Sequence, residues 1–160
     1  MNFLEHVSQN IIDLHVGGNW TGNSIAEEIE DVSLEESQIL TLGSPNTIAA
    51  LLQHITYWNR IMVIRLGGIA VKIADHNGFD ANVFVCEKDW DMLKKDIITS
   101  AFELADAIKV INFTDLLEEI LPNQPTTFKS IIGISEHAHY HLGQIVILKN
   151  LVRMAGGKNF

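Results

Sequence analysis

His137 and His141 stand four residues apart in Ser135-Glu136-His137-Ala138-His139-Tyr140-His141-Leu142-Gly143-Gln144, inside an apolar segment of helical periodicity. At 3.6 residues per turn both side chains leave the same helical face one turn apart, so two imidazoles can converge on one metal ion. His139, between them, points elsewhere. A catalytic site for a first-row metal takes three protein ligands and keeps a position open. The third ligand has to come from another helix.

His54 is the leading candidate, because Leu51-Leu52-Gln53-His54-Ile55-Thr56-Tyr57-Trp58 is the most thoroughly apolar stretch of the chain. A histidine buried there needs either a hydrogen-bond partner or an ion to offset its desolvation. On the spacing alone both readings stand. A zincin-type protease is excluded: that chemistry needs His-Glu-x-x-His with the glutamate as general base, and Ala138 occupies its place. Glu136 is rotated by about 100° from His137 on a helix and cannot substitute. No Gly-x-Gly-x-x-Gly, phosphate-loop or Gly-x-Ser-x-Gly pattern occurs. The single cysteine, Cys86, rules out an internal disulfide and a cysteine-rich zinc site. It is either a thiol nucleophile or a passive residue of an extended segment.

The elements that must position these residues are helices. A first helix is expected from about Asn2 to His15, with Leu4, Val7, Ile11 and Leu14 as its stripe and Gly17-Gly18 as its stop. A long connection follows, with a short helical stretch near Ile25 to Glu30 and a capping-box pair at Ser33 and Glu36. Pro45-Asn46-Thr47 opens a second main helix running to Gly67-Gly68, whose wide apolar surface marks a buried element. Asp75-His76-Asn77-Gly78 is turn chemistry. A third helix begins near Glu87, with Trp90, Leu93, Ile97, Ile98, Phe102 and Leu104 to Ile108 inward and Lys94 and Lys95 on the wet side. Residues 113–121 add a short helix or extended piece before Pro122 and Pro125, and the last helix spans roughly Thr126 to Met154. Only residues 82–86, Asn-Val-Phe-Val-Cys, look strand-like. Four long helices with at least one very long connection make an all-α four-helix bundle the economical fold, and facing side chains in such a core can build a metal site.

With 160 residues and 47% hydrophobic content, the chain suits one domain, 1–160. A net charge of -9 disfavours phosphate backbones and anionic lipid surfaces, leaving small molecules and proteins as partners. No apolar run approaches a membrane span and the start lacks a basic stretch followed by an apolar core, so a cytoplasmic location is expected.

The context of His54, together with His137-x-x-x-His141-x-Gly143-Gln144-Ile145, resembles the DinB-like, or YfiT-like, family of metal-dependent proteins. Gly18-Asn19-Trp20-Thr21-Gly22-Asn23-Ser24 is similar to that family's tryptophan-bearing loop, and Thr47 to His54 to the start of its second helix, so the resemblance covers nearly the whole chain. It implies a four-helix bundle with a long crossover connection, frequently a homodimer, holding a divalent ion such as nickel or zinc through three histidines, here His54, His137 and His141. It supplies no argument for DNA binding, since the family is unrelated to the translesion polymerase of similar name.

Three neutral imidazoles would leave the ion doubly positive with open positions, which permits two chemistries on a small-molecule substrate. Acidified water gives a hydrolase. A bound thiol that loses its proton gives an S-transferase, and the resemblance permits a low-molecular-weight bacterial thiol as cosubstrate. The alternative is a non-catalytic metal- or ligand-binding stress-related protein. Trp20 is expected either to wall the metal or to anchor helix packing. Gly143 is expected to allow close helix approach, Gln144 to line the cavity or hydrogen-bond nearby, and His139 to face a neighbouring helix or subunit. His6, His15 and His76 are expected on surfaces or helix ends.

Overall fold

The computed structural model describes residues 2–79 and 84–156. Among the described residues the fold is all-helical: α1 (Phe3–Val16), α2 (Ile25–Glu30), α3 (Leu34–Ser37), α4 (Ile48–Leu66), α5 (Glu87–Lys109) and α6 (Thr127–Ala155), with a 3₁₀ turn at Phe113–Leu117. No strand is present among them, only an isolated antiparallel bridge between Glu119 and Thr126. Of the strand-like stretch, residues 82 and 83 lie outside the described residues, and Phe84 to Cys86 lead into α5 without pairing.

Every start but that of α5 is set by a side chain one step before the helix. Asn2, expected inside α1, is its N-cap, accepting from Glu5 N while the Glu5 carboxylate accepts from Asn2 N in a capping box. Ser24, Thr47 and Thr126 accept from the third residue of α2, α4 and α6 in the same way. Ser33 and Glu36 form the capping box read from their spacing.

The four long helices pack in the cyclic order α1, α5, α4, α6, and α2 and α3 lie across them in the connection between α1 and α4. The core has two parts. One gathers Leu14, Ile25, Ile29, Leu51, Leu52, Ile55, Trp90, Ile97 and Leu142, with Trp90 Nε1–H donating to the Val32 carbonyl at 2.8 Å. The other gathers Leu4, Ile11, Met62, Leu104, Ile108, Ile131 and Ile134. Within α5 the inward stripe runs through Trp90, Leu93, Ile97, Ala101, Leu104, Ala105 and Ile108. Phe102 is not part of it: one residue past Ala101 it is turned by about 100° and lies 45% exposed. Lys95 is on the wet side as expected, whereas Lys94 is half-buried, its ammonium 5.1 Å from the Trp90 ring centre. No helix among the described residues is long and apolar enough to cross a membrane.

Candidate metal centre

α4 and α6 face each other, and at mid-length they bring together the three expected histidines. His54 Nε2 lies 2.9 Å from His137 Nε2, which lies 3.1 Å from His141 Nε2. One ring nitrogen from each falls within 4.8 Å of the others, and no second such group of histidine, cysteine or acidic side chains occurs among the described residues. His54 and His141 are buried and His137 is half-buried.

The hydrogen bonds behind the rings fix which nitrogen carries the proton. His54 Nδ1 lies 2.6 Å from the Asn77 carbonyl, which can only accept, so Nδ1 is protonated and the Nε2 lone pair faces the centre. His141 Nδ1 donates to Gln144 Oε1 at 2.7 Å, with the same consequence. His137 Nδ1 is buried without a partner among the described residues. A neutral His137 can send one Nε2 proton to one of its two neighbours at most. The lone pair of the other neighbour is then left facing a His137 nitrogen that gives it no proton, a conflict that a shared cation removes. A tetrahedral ion about 2.0–2.1 Å from each nitrogen would hold the nitrogens about 3.3 Å apart, a few tenths of an ångström wider than the two contacts that His137 makes. The donor set fits a borderline-soft divalent ion, and the carbonyl and amide behind the rings are the outer partners such ligands use.

Burial pushes His54 down to about 4, against the opposing hydrogen bond to Asn77 and with the charge of His141 adding to the fall. Burial likewise brings His137 to about 4, reinforced by His141 and His54. Burial also lowers His141, opposed by Gln144. All three are therefore neutral, ligand-competent imidazoles at pH 7.

The walls are aromatic. Phe79 stacks on His54 with ring centres 3.9 Å apart and planes within 9°. Trp58 lies 6.0 Å from His137 and Tyr140 5.0 Å from His141, both at steep angles. Phe79 and Asn77 arrive on a tight turn in which Phe79 N–H donates to the His76 carbonyl at 2.8 Å. Its two central residues, Asn77 and Gly78, have φ of 52° and 78°, the positive-φ pair for which Asn-Gly is the preferred sequence. A side chain at Gly78 would meet the Tyr57 ring at 2.6 Å.

Other expectations divide. Gln144 does hydrogen-bond at the site, and His139 turns to the groove beside α1, near His6, Val7 and Asn10, with Nδ1 on the Ser135 carbonyl at 3.0 Å. His6, His76 and Glu136 are exposed, as is the Cys86 thiol that stands at the N-cap of α5. Trp20 neither walls the metal nor anchors packing: it is 99% exposed on its loop. Gly143 is exposed, with nothing within 4 Å of where a Cβ would stand, so it admits no close helix. His15 is at its helix end but fully buried, its Nδ1 donating to the Ile11 carbonyl at 2.8 Å and its Nε2 accepting from Asn59 Nδ2 at 3.2 Å. The roles of Trp58, Asn77, Phe79 and Tyr140 were missed. The Asn-Gly turn was the one local signal, and it showed a turn without showing what the turn holds.

Compared with family models, with curated proteins and with solved structures, the chain matches none.

Proposed function

We propose that this chain is a DinB-like four-helix bundle with a long crossover connection that holds one divalent ion, nickel or zinc, through His54, His137 and His141, and that it is a metal-dependent enzyme acting on a small molecule. The observation that carries the reading is the meeting of three Nε2 atoms at 2.9 and 3.1 Å, two of them bound by their Nδ1 protons to present lone pairs inward. When bound, such an ion supplies Lewis acidity that lowers the pKa of a water or thiol beside it.

The protein's own part is positioning and exclusion of water. Asn77 and Gln144 hold two rings in orientation, and Phe79, Trp58 and Tyr140 make a low-dielectric wall around the reacting position. Among the described residues, the polar groups hydrogen-bonded to the rings from outside the cluster are a backbone carbonyl and a neutral amide, neither of which exchanges protons near pH 7. A low-molecular-weight thiol needs no such base once acidified, whereas attack by water gains from one. This favours thiol S-transfer to an electrophile over hydrolysis.

Metal analysis after reconstitution with nickel or zinc tests the site: about one ion per chain is expected, and His54→Ala should retain far less. Unchanged occupancy in that variant overturns the ligand assignment. Consumption of a chlorodinitrobenzene only when cysteine-derived thiols and metal are both present supports transfer. Ester hydrolysis without thiol supports the hydrolase, and stoichiometric metal with neither activity assigns a binding protein.

A further inference from the structure

Three buried nitrogens on α4 and α6 lack hydrogen-bond partners among the described residues: His137 Nδ1, Trp58 Nε1 and Arg65 Nε. They belong to side chains packed in a row. The Trp58 ring is 6.0 Å from the His137 ring, and the Arg65 guanidinium carbon lies 5.6 Å from the Trp58 ring centre. Trp58 and Arg65 stand seven residues apart on α4, on the face that also carries His54 four residues before Trp58.

All three are donors. Indole and guanidinium nitrogens have no acceptor capacity, and His137 Nδ1 carries its proton once Nε2 is given to an ion. A buried donor left unmatched is costly, so a row of three calls for an acceptor with several lone pairs. Arg65 adds a full positive charge. The chain has 20 acidic residues against 11 basic ones, and the other arginines described, Arg60 and Arg153, are each in ion pairs with Asp96 and Asp31. Arg65 forms none among the described residues and is held on an aromatic face instead.

We propose that Trp58 and Arg65 form a carboxylate subsite at the edge of the metal centre, so that the substrate is a small organic acid whose carboxylate rests on Arg65 while its other end faces the three imidazoles. The proposal rests on the metal-centre reading above. The Nε edge of a guanidinium presents two parallel N–H groups, which match a carboxylate in a planar, bidentate pair. The indole N–H and the His137 Nδ1–H supply further donors along the same row, and no covalent step is involved.

The test uses zinc-loaded protein titrated calorimetrically with aliphatic dicarboxylates of three to six carbons and, against each, the monocarboxylate of nearest length, such as glutarate against butyrate. One member of the series should bind about tenfold more tightly than its monocarboxylate, the size of effect expected of a charge-assisted bidentate pair. Arg65→Gln should abolish that preference at unchanged zinc content, and Arg65→Lys, which keeps the charge and loses the fork, should retain part of it. Methylphosphonate in place of the monocarboxylate distinguishes a phosphate-selective site: tighter binding than any dicarboxylate overturns the carboxylate assignment. A wild-type protein that prefers no dicarboxylate, or an Arg65→Gln variant that keeps the preference, overturns the subsite. Zinc content is measured separately, so failure of the metal centre shows as absent zinc. Carboxylate binding is then read on metal-free protein by chemical-shift titration of the tryptophan indole protons with the same acids, where an unmoved Trp58 indole proton overturns the proposal.

Discussion

His15 makes the fold acid-sensitive by an amount the structure sets. Its ring is fully buried between α1, α4 and α5, with Nδ1–H on the Ile11 carbonyl and Nε2 accepting from Asn59, whose amide also donates to Ser100 Oγ at 3.0 Å. Burial lowers His15 from 6.5 to about 4, with the charge of His139 on α6 pushing the same way and the Ile11 carbonyl opposing. Between those two pH values the unfolded chain carries a proton that the folded chain refuses, so stability rises with pH across the interval and is lost as pH falls through it. The interval from 6.5 to about 4, at about 1.4 kcal/mol per pH unit, sets a total loss of about 3 kcal/mol, of which about 1.4 is already gone at pH 5.5. Urea unfolding of wild type and His15→Gln at pH 7.5, 5.5 and 4.5, followed by circular dichroism with chelator present throughout, isolates this contribution as the difference between the two proteins. The variant is expected to be less stable at pH 7.5 and to lose its disadvantage progressively on acidification, through the midpoint and not the slope of the transition. Parallel stability-against-pH curves for the two proteins would refute the reasoning.

Gln144→Leu removes the acceptor that orients His141 and should weaken zinc binding by about 10- to 100-fold, read by competition with a chromophoric chelator; unchanged affinity would show that the ring needs no such partner. Gly78→Ala places a methyl 2.6 Å from the Tyr57 ring at a φ of +78°, so a cost of at least about 1–2 kcal/mol from the backbone alone is expected. That loss should appear in thermal melting together with reduced zinc affinity, because the Asn77 carbonyl moves with the turn. Because burial brings His54 and His137 to about 4 and lowers His141 as well, the loss of zinc affinity on acidification should begin below the ordinary histidine value. A fall beginning near the ordinary histidine value of about 6.5 would mean that the rings are solvated in the metal-free protein.

What was legible in the sequence was whatever is fixed within a few residues. Caps at Ser24, Ser33, Thr47 and Thr126 act over three residues, and helix ends at Gly17 and Gly67 over one turn, so the element boundaries follow from local chemistry. The His137 and His141 pair is legible for the same reason, being one helical turn apart, and His54 stood out because a polar ring on so apolar a face needs a partner. Contacts between distant segments were not legible. Asn77 reaches His54 across 23 residues and Asn59 reaches His15 across 44, and neither partner is implied by its neighbours in the chain. Phe102 shows the limit within a helix, since an apolar residue one step off the inward stripe of α5 reads as core until its angle is fixed. Trp20 shows it in a loop, where an aromatic side chain surrounded by glycine and asparagine has no apolar surface to cover it.

Two buried histidines of this protein separate what burial alone implies from what a ligand role requires. His15 and His54 are both out of solvent and both pushed down to about 4. Yet His15 spends both nitrogens on the protein: a carbonyl takes its proton and an amide fills its lone pair. A ring so satisfied has nothing left to give an ion. His54 spends only Nδ1 in this way, and its Nε2 faces another imidazole Nε2 at 2.9 Å. The same holds for His141, whose Nδ1 is engaged by Gln144 while its Nε2 also points at His137. The fold therefore keeps inward-facing lone pairs together at some cost to its own stability, and any cation that settles between them returns that cost as binding free energy and stabilises the folded chain by mass action. It is the unspent nitrogens, and not the burial of the rings, that argue for a metal centre between α4 and α6.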